Sequence, residues 1–403
     1  MIELVDWCRS EVARRPSLTN SQAEALRRLV IVTPTRNRTD FLVRQAAFWG
    51  DTPARLLIMD GSDKAVSSQL EGLFGEYSNI EYRHEPAGWS ARLEMAGGAI
   101  DRPYAVLCGD DEFLMPAGLA SAIGLLDREH SMAGCIGQAL GFYPTRRHRR
   151  LRFAEGYDYL RIRSTATDGG ERILASMAEY DAATCYAVLR SDVWRESWGS
   201  VYDWSCPSAN EVQQALAVHA RGCLGVVDDL YWLRSMENSP VNRIERRFTL
   251  IDWWRSDEHE AEREGFVDCI ARDLEAEGVA LGADARRLVI QAVGVLVEAI
   301  DLRNETAGWS GGRPPERGRP RPLEMIRDLS NRFLPDVVHV ALGDILESFR
   351  RLAGRSSKRR LGGIRRVERW CSERLLTATP EISEILGQVE RTVKTFHRAR
   401  VSD

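Results

Sequence analysis

Apolar residues follow two rhythms along this chain. Between positions 29 and 108, short β-branched runs alternate with stretches of helical spacing, and beyond about 245 only the helical spacing remains. Leu29-Val30-Ile31-Val32-Thr33 is wholly apolar until its last residue, the pattern of a strand buried on both faces of a parallel sheet. The polar loop 34–38 follows, and then a helix in which Phe41, Leu42, Gln45, Phe48 and Trp49 share a face, with Thr39 or Asp40 at its start. The cycle recurs three times. Strands are expected at 55–59, 79–83 and 104–108, each leading into a polar loop at 60–63, 85–89 or 109–112, with helices running to about Phe74 and over 90–99. Such alternation predicts an α/β fold with a mixed, mostly parallel sheet flanked by helices. Ligands on such sheets bind where the strands' carboxyl ends emerge, the edge that all four loops share.

The flanks read differently. Residues 1–28 form a helical lead-in, with Thr19 or Ser21 able to cap its second half. Between 140 and 240 the alternation loosens, with a strand expected over 184–190, a helix over 211–221 and one or two strands over 224–233. Helical periodicity covers 249–303, 323–353 and 364–398, interrupted by a Gly/Pro/Arg-rich separator at 311–322 and a second at 355–363. The expected organisation is therefore a lead-in (1–28), a catalytic domain (29–245) and an all-helical C-terminal region (246–403) with its linker near 311–322.

Composition narrows the function. A 403-residue chain with 44% hydrophobic and 28% charged residues is that of a soluble globular protein with room for more than one core. No apolar run reaches the roughly 20 residues that a spanning helix needs, and the acidic Met1–Asp6 opening lacks a basic region followed by an apolar stretch. Eight cysteines scattered without a CxxC suggest reduced thiols and a cytoplasmic location, or a peripheral one at the inner face of a membrane. A net charge of −4 disfavours nucleic acid as a partner. One basic run, from Arg355 to Arg369, reads as a solvated loop or a contact for anionic lipid or glycan.

The densest chemistry lies at Asp110, Asp111 and Glu112, directly after the fourth strand. Adjacent carboxylates repel one another, and a divalent cation relieves that repulsion. Hard oxygen ligands with coordination positions left open suit Mn²⁺ or Mg²⁺ bridging to a diphosphate. A solvated acidic turn capping the next helix is the plainer alternative.

Three stretches in order, VIVTPTRNR, LLIMDGS and YAVLCGDDEFLMPAGL, resemble the family 2 glycosyltransferases of the GT-A fold. The resemblance spans roughly 28–240. It implies inverting transfer of a sugar from a nucleoside diphosphate, with a UDP-sugar favoured, to a glycan, lipid-linked or protein acceptor hydroxyl. It assigns Thr33, Pro34 and Arg36 to the base and ribose, Asp60 to the base edge, and Arg92, beside Trp89 and Ser90, to ribose and phosphate. Asp110 would serve ribose or metal, Asp111 metal, Glu112 a supporting metal role, and Arg234 the donor phosphates. Glu211 would be the catalytic base, with Asp203 and Asp181 as other candidates. Two positions depart from the family pattern: Gly109 and Asn210 stand where acids are usual. They motivate the alternative of a non-catalytic nucleotide-sugar-binding or assembly module. Trp194, Trp198, Tyr202 and Trp204 could line an acceptor platform or fill the core. The C-terminal helices are candidates for an acceptor-site cover or a homo-oligomer interface. Pyrophosphorylases, dinucleotide oxidoreductases and receiver domains are disfavoured because loop 34–38 has no glycine, GxGxxG is absent and lysine occurs only at 64, 358 and 394.

Overall fold

A computed structural model describes residues 2–145, 150–154, 166–180, 182–238, 249–306, 360–373 and 380–401. The expected helix over 323–353, the separator at 311–322, most of the separator at 355–363 and Asp181 lie outside the described residues.

The first half follows the predicted alternation. Strands β1 (Leu29–Thr35), β2 (Arg55–Asp60), β3 (Ile80–His84) and β4 (Tyr104–Leu107) lie parallel in the spatial order β3-β2-β1-β4. Helices α1 (Ile2–Ala13) and α2 (Asn20–Leu26) precede β1, and Thr19 caps α2 in a reciprocal capping box with Gln22. Helices α3 (Thr39–Trp49), α4 (Ser68–Gly75) and α5 (Trp89–Ala99) connect the strands. Because the chain adds β2 and β3 on one side of β1 and β4 on the other, the strand order reverses between β1 and β4. A crevice at such a reversal is where open α/β sheets bind ligands.

Strand β1 runs two residues beyond the expected stretch. Pro34 falls opposite Met59 of β2, yet pairing with β4 stops at Val32, so the missing N–H of Pro34 interrupts no ladder there.

The second half completes a mixed sheet. Strand β5 (Phe113–Leu114) replaces the first residues of the expected helix, and α6 begins only at Pro116 (Pro116–Arg128), where proline's missing N–H is harmless. The long β6 (Met132–Pro144) was not legible in the alternation. It pairs with β7 (Leu151–Ala154), β8 (Val188–Arg190) and β9 (Cys223–Ser235), and β10 (Arg360–Gly362) extends the sheet beyond β7. The strand expected over 184–190 is a 3₁₀ turn up to Tyr186 and then β8.

Two apolar clusters form the interior. One surrounds the sheet and includes Val389, Val393 and Phe396 of the last helix, α14 (Pro380–Val401). The other is helical, joining α7 (Gly169–Ala178), α9 (Pro207–Arg221), α10 (Leu250–Arg255), α11 (Glu260–Ala276) and α12 (Ala283–Thr306). Helix α8 (Ser191–Ser197) and α13 (Ile364–Glu373) contribute Trp194, Val367 and Trp370 to the first cluster. Helix α14 packs against α1 and α3, with Phe396 between the rings of Trp7 (5.6 Å) and Phe41 (5.5 Å). Among the described residues, no helix is long and apolar enough to cross a membrane.

Candidate functional site

The carboxyl ends of β1, β2 and β4 bring their polar residues to one edge. Thr35 ends β1, and its hydroxyl donates to Asp110 Oδ2 at 2.7 Å, joining the two sides of the strand-order reversal. Thr33 is fully buried beneath it and its hydroxyl has no hydrogen-bond partner. Arg36 points into solvent and pairs with Asp63 at 3.4 Å.

Asp60 ends β2 and is buried. Its Oδ1 accepts from the Ser62 N–H (2.9 Å) and the Ser62 hydroxyl, and its Oδ2 accepts from the Tyr82 hydroxyl at 2.8 Å. Arg92, one turn into α5, donates to the carbonyls of Thr35 (2.7 Å) and Met59 (3.0 Å), so it ties the ends of β1 and β2 together. Burial lowers its pKa, opposed by the charges of Asp60 and Asp203. Gly61 is required here: a Cβ would sit 2.5 Å from the Arg92 guanidinium carbon.

The three acids after β4 diverge. Asp110 Oδ1 meets Arg38 Nη1 at 2.8 Å, and Asp111 Oδ2 meets Arg38 Nη2 at 2.6 Å. Asn238 also donates to Asp111 Oδ2 at 2.6 Å. Glu112 turns the other way and accepts from the Trp232 indole at 3.1 Å. Burial raises the pKa of Asp110, against the pull of Arg38, and pushes Glu112 up to about 8, aided by the charge of Asp111 and opposed by Arg234. The loop backbone is fixed by Gln45, whose amide donates to the carbonyls of Asp110 (3.0 Å) and Glu112 (2.7 Å).

Gly109 leaves no space for the acid usual at its position. A Cβ there would lie 2.8 Å from Glu112 Oε2 and 2.9 Å from Cδ. Glu112 therefore fills the volume that a side chain at 109 would take. A tight shell sustains the whole edge from behind. Arg44 of α3 is fully buried, donates to the Asp111 carbonyl (2.7 Å), pairs with Glu237 (2.7 Å) and lies over the rings of Phe41, Phe113 and Phe396. His397 of α14 contacts the other Glu237 oxygen at 2.5 Å. Although burial pushes the Glu237 carboxyl up, Arg44 and His397 outweigh it and hold the group at about 2.

One cationic centre thus faces two carboxylates, Asp110 and Asp111. Mg²⁺ and Mn²⁺ are commonly held by one or two carboxylates together with substrate phosphate oxygens, so this pair fits such an ion. Glu112, facing Trp232, does not join the pair. Among the described residues, no three His, Cys, Asp or Glu side chains gather into an all-protein metal cage.

Glu211 lies in the first turns of α9, partly buried, with its carboxyl raised to about 7 by burial and lowered in part by Arg234. Arg234 acts electrostatically on both Glu112 and Glu211, so these groups surround one region. Asn210 braces the neighbouring loop, since its amide donates to the Tyr202 carbonyl, while Gln213 accepts from the Tyr202 N–H and the Trp204 indole. An aspartate at 210 would set a carboxylate against that carbonyl. Asp203 is exposed and accepts from the Ser90 N–H at 3.1 Å, capping α5. Trp194 and Trp198 belong to the core, whereas Tyr202 is exposed beside Trp204.

Arg38, Arg44, Gln45, Glu237, Asn238 and His397 carry no sequence signal that marks them as functional. Arg38 stands in the PTRNR loop, and Glu237-Asn238 follow β9 after Met236. For His397, carried by a helix 160 residues from Glu237, no local pattern exists.

No family model matches the chain, and no curated protein matches it. Solved structures of similar fold include Staphylococcus aureus TarS 1-349, at 10% identity, covering 69% of this chain and 92% of that one, with a TM-score of 0.38. The same TarS portion in complex with UDP-GlcNAc is similar at 10% identity over 70% and 92%, with a TM-score of 0.38. The mannosyltransferase PcManGT from Pyrobaculum calidifontis, in complex with GDP-Man and Mn²⁺, is similar at 11% identity over 82% of this chain and 88% of that one, with a TM-score of 0.37.

Proposed function

We propose that this chain is a glycosyltransferase that moves a sugar from a nucleoside-diphosphate donor to an acceptor hydroxyl with inversion. The observation that carries this reading is the Thr35–Asp110 hydrogen bond, which sets a carboxylate pair in the crevice between β1 and β4. The base and ribose of the donor lie over the ends of β1 and β2, with Arg36 exposed beside them and Thr33, Pro34 and Asp60 buried beneath. Asp60 is held beneath the base with both oxygens engaged by Ser62 and Tyr82, which fixes the loop that the base would rest on. Arg92 positions the ends of β1 and β2 under the donor.

Asp111 and Asp110 would hold a divalent ion, which would supply positive charge for the leaving diphosphate. Arg234 adds fixed positive charge on the same side. Glu211 accepts the proton of the acceptor hydroxyl. A carboxyl raised to about 7 suits that role, since it is basic enough to take the proton and still ionised near neutrality. Tyr202 and Trp204 offer ring faces to an acceptor sugar.

The test is a thermal-shift screen of nucleoside diphosphates, UDP first, with and without Mn²⁺, followed by donor hydrolysis in wild type and Asp111→Ala. A metal-dependent shift with one nucleotide, and turnover lost in Asp111→Ala, is expected. Absence of a shift with every nucleotide overturns the reading. Binding without turnover on a broad acceptor panel leaves the non-catalytic module instead.

A further inference from the structure

Helix α14 presents two unlike faces. Leu386, Val389, Val393 and Phe396 are buried in the sheet core, and His397 faces Glu237. Arg391, Lys394, Thr395 and Arg398, at spacings of three and four residues, share another face. That face lines an open depression of about 380 Å³, which Glu390 of the same helix and Arg150, immediately before β7, also border.

Four cations thus border one volume. Among the described residues, the carboxylates Glu390 and Glu11 stand near them, and both are committed. Glu390 accepts the Leu151 backbone N–H at 3.0 Å, which anchors the helix to β7. Glu11, buried on α1, pairs with Arg391 at 3.2 Å and is contacted by the Thr392 and Thr395 hydroxyls. Arg150 and Lys394 have no ion-pair partner among the described residues. Like charges one turn apart on a helix repel. Here these side chains border one shared depression.

We propose that this depression is an anion site that takes a phosphorylated ligand, separate from the crevice between β1 and β4. Guanidinium forks and an ammonium group together match phosphate oxygens in charge and geometry. The volume exceeds a bare phosphate, so the ligand carries its phosphate on a larger body, either a soluble phosphorylated molecule or a phospholipid headgroup.

The full chain is titrated calorimetrically with inorganic phosphate and pyrophosphate in EDTA, which keeps divalent ions from the other site. In parallel it is floated with phosphatidylcholine vesicles with and without phosphatidylglycerol. Wild type is expected to bind saturably and more weakly as salt rises. Arg150→Ala combined with Lys394→Ala weakens binding at least about tenfold, and Lys394→Glu abolishes it. Asp111→Ala binds as wild type does. Thermal midpoints matching wild type establish that the variants fold, and neither side chain anchors another group among the described residues. Loss of phosphate binding alone identifies a soluble phosphorylated ligand, and parallel loss of flotation with phosphatidylglycerol identifies a headgroup. Binding that is absent in wild type, or equal in wild type and the double variant in both arms, overturns the proposal.

Discussion

The guanidinium of Arg38 lies 2.6 Å from the carboxylate of Asp111 and, through its other terminal nitrogen, 2.8 Å from that of Asp110. A protein side chain thus stands where a metal ion shared by these two acids would stand, so the two would compete. Replacing the guanidinium by an uncharged chain of similar length leaves two carboxylates facing each other without compensation, which favours a divalent ion. Arg38→Met is therefore expected to bind Mn²⁺ about tenfold more tightly than wild type in donor-free calorimetry. Asp111→Ala should remove that binding in both backgrounds. Equal Mn²⁺ affinity in wild type and Arg38→Met contradicts the competition.

Gly109 and Glu112 share one volume, so a side chain at 109 must displace a buried carboxyl held by Trp232. Gly109→Ala should cost about 1–3 kcal/mol, the usual range for overpacking. Gly109→Asp should cost more, because it adds a second buried acid beside a group already pushed up to about 8. Urea unfolding of the two variants measures both. A Gly109→Asp variant as stable as wild type shows that Glu112 moves aside freely.

Glu237 compensates the fully buried Arg44, so Glu237→Gln leaves an uncompensated charge in the core. The expected loss is about 3–5 kcal/mol, read as a lower unfolding midpoint. The pH dependence has a definite sign. The Glu237 carboxyl sits at about 2 when folded against an ordinary 4.5, so its stabilisation is complete above about 4.5 and fades as pH falls toward 2. Acid unfolding curves of wild type and Glu237→Gln should therefore draw together below about pH 4.5 and meet only near about pH 2. A constant gap down to about pH 2 rules out this assignment of the pair.

Glu211 titrates in the opposite sense. Burial holds its carboxyl protonated until about pH 7, so a base role makes the transfer rate rise with pH and level off above 7. Glu211→Gln should lower kcat by about 10²–10⁴-fold and abolish that rise. Ionising a buried acid also costs stability above its ordinary pKa of 4.5, so the glutamine variant should be no less stable than wild type at about pH 8. Activity lost together with stability would point to a structural role.

The strand-loop-helix rhythm of the first hundred residues was legible because strands buried on both faces need continuous apolar runs, and Leu29–Val32 and Leu56–Met59 have them. Strand β6 was not, since Gly134, Gly137 and Gly141 interrupt its pattern. Each of the three lies where a Cβ would collide with a neighbouring strand or side chain, a reason visible only in three dimensions. At the site, the residues on strand ends were readable from position: Thr35's neighbours, Asp60 and Asp110. The shell behind them was not, because Arg44, Glu237 and His397 meet across 193 and 160 residues of chain. Asn210 and Gly109, which depart from the family pattern, have packing reasons that the sequence does not display.

The indole of Trp7 donates to the hydroxyl of Thr395, 388 residues later, and Phe396 fills the gap between Trp7 and Phe41. During synthesis, then, the parallel strands leave the ribosome long before the helix that covers α1 and α3 and delivers His397 to Glu237. Until that helix arrives, an apolar face of the first-made half stays open and the Arg44–Glu237 pair lacks its third member. Residues 380–401 thus supply, from far along the chain, the apolar cover over Trp7 and Phe41 that the earlier-made elements lack on their own.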